Sequence, residues 1–194
     1  MIKINLLAEK KQPKPERAPK LEMGGGQNVL LVGIILLVAL PSRAAVWQVP
    51  GDFPTIQSAV NASATGDTVR VDAGIYEEQV VVTTDLVLLG AGVGLTILQA
   101  PPTLPHSVGN FEYRGVLHVE EPATTSTVAG LTIDGLKRHP ETGRFAGLIY
   151  WHVGGEVHDL EVVNVHPYPT TDEVTGIGIL MTNPARYNPR CRSC

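Results

Sequence analysis

Residues Asp52–Leu98 read DFPTIQSAVNASATGDTVRVDAGIYEEQVVVTTDLVLLGAGVGLTIL, and the change of period inside this stretch decides the fold. Its first part is helical: Pro54 suits a first helical position, Ile56, Ala59 and Val60 share one face, and Gly66 is placed to end the segment. After Gly66-Asp67 the period drops to two. Val69 and Val71, Val80 and Val82, the run Leu86–Leu89 and Thr96-Ile97-Leu98 follow, separated by Gly74, Gly90, Gly92 and Gly94. A short amphipathic helix that leads into short strands with glycine turns is what a parallel β-helix needs at its start, because the open end of such a coil exposes a hydrophobic core.

The rest of the chain repeats the strand pattern. Residues 129–135 (AGLTIDG) resemble 158–164 (HDLEVVN), and Gly147-Leu148-Ile149-Tyr150-Trp151 resembles Gly176-Ile177-Gly178-Ile179-Leu180. The spacing from Leu131 to Leu160 equals that from Gly147 to Gly176. Two segments recurring at one spacing point to stacked coils, with an all-β sandwich as the competing arrangement. In this register Gly135 lies opposite Asn164, two residue types that tolerate positive φ at a corner. The expected fold is therefore all-β: a right-handed parallel β-helix over residues 46–194, with a short N-terminal capping helix.

Phe53, Thr55-Ile56-Gln57, Ala59-Val60, Gly66, Val69, Val71, Gly74, Tyr76, Glu78, Val80, Leu88-x-Gly90-x-Gly92 and Thr96-Ile97 resemble the start of the pectin lyase-like superfamily, above all its pectinesterase-like and NosD-like members. The resemblance implies the cap and first coil of that fold. It implies no catalytic residue here, because those positions do no chemistry in the family. The G-x-x-D-F-x-F-G-type motif that carries the pectinesterase aspartates is missing from the chain. What it implies for function is an exported module that binds or acts on polysaccharide. A fragment of an esterase- or lyase-like enzyme is the alternative.

Composition agrees with an exported domain. The chain has 20 glycines, 15 prolines and a net charge of −4, but residues 1–43 hold seven basic and three acidic side chains, which leaves −8 on the remainder. So acidic a body repels nucleic acid. It also repels pectate, unless calcium bridges the two sets of carboxylates.

Residues 1–45 form a separate region. Lys10, Lys11, Lys14, Arg17 and Lys20 precede a glycine run and the apolar stretch Val29–Leu40, followed by Ser42-Arg43-Ala44. Twelve residues fall short of the ~20 that span a bilayer but fit the ~7–15 of a signal-peptide core. Cleavage near Ala44 and a periplasmic, envelope or secreted location are expected, with an uncleaved inner-membrane anchor through residues 29–40 as the alternative. Ile4-Asn5-Leu6-Leu7, the Lys/Pro linker and the apolar segment resemble the start of PilN-type pilus-assembly proteins. That resemblance implies a PilM-like cytoplasmic partner at Ile4–Leu7.

Candidate site residues come from convergence between coils, since stacked strands lie ~4.8 Å apart. Asp134, Asp159, Asp172 and Glu173 are the candidates for a calcium site, and Tyr150, Trp151 and His152 for substrate binding. Glu77-Glu78, Glu120-Glu121 and Asp172-Glu173 are sequence neighbours, so on a strand the members of each pair face opposite ways. His118, His152, His158 and His166 can line a face, but in Gly115–Val119 either alternate set can be the core. The Ala100–Arg114 and Lys137–Arg144 segments interrupt the coil as candidate groove walls. Cys191-x-x-Cys194 lacks the second pair that a zinc site needs and reads as exposed thiols or a local disulfide. After Met181 no amphipathic helix closes the coil, so further coils are expected beyond this sequence.

Overall fold

The computed structural model describes residues 43–138, 143–165, 176–182 and 190–192, all within the compact unit Arg43–Cys194. Among the described residues the protein is mostly β, with one short helix and parallel strands throughout two sheets. In chain order the elements are β1 (Val46–Val49), α1 (Ile56–Ala62), β2 (Thr68–Val71), β3 (Gly74–Glu77), β4 (Val80–Val82), β5 (Val87–Gly90) and β6 (Thr96–Gln99). They continue with β7 (Tyr113–Glu120), β8 (Thr125–Asp134), β9 (Arg144–Trp151), β10 (Gly154–Val163), β11 (Ile177–Thr182) and β12 (Arg190–Arg192).

The first sheet runs β1-β2-β5-β8-β10-β12, and β3 and β6 extend it alongside because the long β8 pairs with both β5 and β6. The second sheet runs β11-β9-β7-β4. The chain therefore alternates: β2 and β3 in the first sheet, β4 in the second, then β5 and β6, then β7, and so on through β11. Side chains from both sheets and from α1 meet in one core that includes Ile56, Val69, Leu88, Leu98, Leu117, Val119, Leu131, Leu148 and Tyr150. Burying each Leu, Ile or Val contributes about 1.5–3 kcal/mol, which makes this core the main support of the fold.

Helix α1 begins where the sequence can satisfy its free amides. Thr55 is the N-cap: its hydroxyl accepts from Ser58 N at 3.1 Å, and Ser58 Oγ accepts from Thr55 N at 3.3 Å. Pro54 thus sits one residue before the cap rather than at the first helical position. The carboxylate of Glu78 accepts from Ile56 N at 2.8 Å and Gln57 N at 2.9 Å, placing negative charge at the helix start. Ile56, Ala59 and Val60 are buried, as their spacing requires. The helix also covers an edge. Gln57 accepts from Val81 N at 2.6 Å and donates to Val81 O at 3.1 Å, so its side chain takes the place of a neighbouring strand along β4.

One register expectation and one backbone expectation need correction. In the first sheet Leu131 does face Leu160, and Ile133 faces Val162, at the spacing the repeat requires. In the second sheet Ala146 faces Ile177 and Leu148 faces Ile179, a longer step, so Gly147 lies beside Gly178 and not Gly176. The extra length belongs to the connection between β10 and β11, which a search for matching glycines cannot see. Positive φ occurs at Leu136 (51°) and Lys137 (53°) after β8 and at Asn164 (54°) after β10, and Gly135 is not among them. Gly135 is required for closeness: a Cβ there would sit 2.6 Å from the Asn164 carbonyl oxygen.

Among the described residues no helix is long and apolar enough to cross a membrane. Residues 1–42, with the apolar stretch and the Ile4–Leu7 segment, lie outside the described residues, as do His166, Asp172, Glu173 and Cys194.

Candidate functional site

Strand β7 settles which side chains face out. Val116, Leu117 and Val119 enter the core, so two consecutive residues point inward and the strand's simple alternation is broken. The ladder to β9 records Gly115↔Ala146 and then Leu117↔Leu148, with no pair at Val116. Beyond this irregularity His118 and Glu120 lie on the outer face, where Glu120 is level with Trp151.

The segment 100–112 folds back over that face. Ala100 and Leu104 reach the core, Val108 packs with Ala146 and Ile149, and Val108 and Tyr113 exchange backbone hydrogen bonds of 3.0 and 2.9 Å. Arg114 donates to Leu104 O at 2.7 Å and Pro105 O at 3.3 Å. His118 is thereby fully buried although it faces away from the core.

Gln79 ties the segment to the sheet. Its Oε1 accepts from His106 N at 2.9 Å, and its Nε2 donates to His106 O at 3.0 Å and Gly115 O at 2.8 Å. Gly115 needs such partners because β4 starts opposite Leu117, so none of the described strands lies beside Gly115 on that side. Its N–H donates to His118 Nε2 at 2.8 Å.

These contacts bring His106, His118 and Glu120 together, with one ligand-capable atom from each within 4.8 Å of the others. His106 Nε2 lies 3.0 Å from the Glu120 carboxylate, and the two side chains are 35% and 13% exposed. The His106 and His118 rings meet edge to face, centroids 4.7 Å apart. Burial, helped by the neighbouring His106, lowers the His118 pKa to about 3, so the ring is neutral in any physiological medium. Because Nε2 accepts from Gly115, the ring proton belongs on Nδ1. That atom is buried and has no hydrogen-bond partner.

A row of rings runs beside this cluster. Phe111 is 61% exposed and lies 6.2 Å from Tyr113, which lies 6.0 Å from Trp151, and Trp151 stacks on His152 at 4.9 Å and 19°. The Arg144 guanidinium sits 4.7 Å above the Phe111 ring and donates to Tyr113 OH at 3.2 Å. Trp151 is wedged against Gly109, where a Cβ would approach its ring to 2.5 Å.

The sequence-predicted candidates are distributed differently. Tyr150 is a core residue with no exposed surface. Its hydroxyl donates to Ser126 O at 3.1 Å, burial raises its pKa above the usual phenol value, and it offers no face to a sugar. Trp151 and His152 are at the surface, on the outer face just described. Asp134 accepts from Leu136 N and from Asn164 Nδ2, both at 2.9 Å, while Asp159 pairs with its neighbour His158 at 3.0 Å. Asp134 is level with Val163, four residues along β10 from Asp159, a separation of about 13 Å at ~3.3 Å per residue, so these two do not converge on one cation. Asp172 and Glu173 lie outside the described residues. The residues that do converge include His106 and Gln79, to which no sequence signal pointed, because only the fold-back of 100–112 brings them to β7.

No family model matches the chain, and no curated protein matches it.

Proposed function

We propose that the chain is an exported right-handed parallel β-helix module, of the pectin lyase-like kind suggested by Asp52–Leu98, and that it binds polysaccharide on the outer face of β7 and β9. The regular alternation between two parallel sheets, the recurrence of one spacing in the first sheet and an N-terminal helix that covers a strand edge support the coil. One observation carries the ligand class: the row Phe111, Tyr113, Trp151 and His152, with Arg144 among the rings. Flat apolar faces beside polar tips suit the apolar faces and hydroxyl rims of sugar rings. The acidic body favours neutral glycans, or acidic ones with calcium.

The test is titration of the full-length protein with soluble neutral polysaccharides, and with polygalacturonate in the presence and absence of calcium, followed by tryptophan fluorescence and calorimetry. At least one glycan should bind, and Phe111→Ala and Trp151→Ala should each weaken it about tenfold, equivalent to ~1.4 kcal/mol. Equal binding by the double variant would sink the reading. Release of sugar or methanol by the protein would replace binding with catalysis.

A further inference from the structure

We propose that His106, His118 and Glu120 form a site for one divalent transition-metal ion, with zinc as the representative, that fastens the segment 100–112 to β7. Three facts carry this. The first is separation. Bonds of ~2.0–2.1 Å in a tetrahedral site put neighbouring ligand atoms ~3.3 Å apart, and the His106–Glu120 edge is 3.0 Å, with all three groups inside 4.8 Å. The second is donor chemistry: two imidazole nitrogens and one carboxylate suit zinc and its neighbours, whereas calcium takes oxygen. The third is independent of both. Among the described residues, His118 Nδ1 is the buried side-chain polar atom with no partner, on a fully buried ring beside the other two groups.

The surroundings hold the three residues in place. Gln79 clamps both backbone groups of His106, and Arg114 holds the two carbonyls just before it. Three protein ligands leave a fourth position, which water or an oxygen of a bound molecule can fill. The site is also its own reporter. A metal at His118 Nε2 takes the lone pair that Gly115 N–H now uses, and a metal at Nδ1 moves the ring proton to Nε2, where it meets that same N–H. Either route breaks the Gly115 hydrogen bond.

The experiment uses the full-length protein, stripped with a chelator and dialysed against zinc, with elemental analysis and a competition titration. One zinc per chain is expected, and His106→Gln and Glu120→Gln should each lower affinity at least tenfold. Both side chains are partly exposed, so neither change removes core packing, and buried His118 is left intact. Cobalt in place of zinc should give the strong visible absorption of a tetrahedral site in the wild type and lose it in both variants. In a spectrum of 15N-labelled protein the Gly115 amide should shift on loading. Failure of the wild type to take up more zinc than the double variant, whether because neither binds it or because both bind it elsewhere, overturns the proposal and leaves His106–Glu120 a plain hydrogen-bonded pair. Loss of glycan binding with zinc retained would instead refute only the function proposed above.

Discussion

At the scale of single residues, Gln79 has an influence out of proportion to its size. One amide group satisfies the N–H and C=O of His106 and the C=O of Gly115, all partly or fully shielded from water. Gln79→Ala removes three hydrogen bonds worth about 1 kcal/mol each and strands their backbone partners. The variant should be less stable by about 2–4 kcal/mol, read as a lower urea midpoint with an unchanged slope. A loss no larger than that of an ordinary surface substitution would mean that water replaces the amide without cost. The sequence could not announce this role. A glutamine between Glu78 and Val80 looks like a solvated end of a strand, and its partners are 27 and 36 residues away. His118 shows the same limit from the other side. It is visible as a histidine in a strand, but Gly115–Val119 allows either face to be the core, and the true answer is neither strict alternation, because Val116 and Leu117 both turn inward. Tyr150 is legible only as a strand residue. Whether a strand aromatic faces the core or a ligand depends on strand register, and here it faces the core.

Elements are more legible than sites, because their signals are local. The helix over 56–62, its buried Ile56, Ala59 and Val60, and the strands around Val69, Val80, Leu88 and Ile97 all follow from period and glycine placement. What joins these elements is less visible. Asp67 accepts from Ala45 N at 2.7 Å, Ala64 N at 2.8 Å and Trp47 Nε1 at 3.1 Å, tying β1 to the end of α1. The backbone N–H groups of Ala64 and then Ala45 favour its ionised form and hold its pKa below the ordinary aspartate value. A carboxyl with a depressed folded-state pKa stabilises the protein fully above the unfolded value of about 4, and that stabilisation fades as pH falls from there toward the folded value. Asp67→Ala should therefore cost about 1–3 kcal/mol at pH 7, and the gap to wild type should narrow below about pH 4. Urea titrations at pH 7 and pH 3, followed by tryptophan fluorescence since Trp47 is a partner, check the sign. A gap that is unchanged at pH 3 would mean that the carboxyl's charge is immaterial and only its hydrogen-bond geometry counts.

At the scale of the whole molecule, what matters is which strands have hydrogen-bonded neighbours on both sides in the two parallel sheets. In the first sheet β5 and β6 lie on one side of β8 and β10 on the other, and in the second sheet β9 lies between β7 and β11. In the coil proposed above, stability is concentrated where strands have partners on both sides, since cooperativity is passed between adjacent turns. Strand β1 pairs with β2 alone among the described strands, and β11 with β9 alone. Amide hydrogen exchange should then rise in steps from the middle outward, slowest in β7, β8 and β9 and faster in β1 and β11. Strand β4 is the informative exception. It is the last strand of its sheet, but α1 lies over it and Gln57 occupies Val81 N, so the Val81 amide should be protected like an interior position. Gln57→Ala should abolish that protection at Val81 while leaving β8 and β9 unchanged. If Val81 exchanges fast in the wild type, the helix does not protect the edge of β4. If all strands exchange at one rate, they open together and the protein behaves as an ordinary cooperative domain, against the proposed coil.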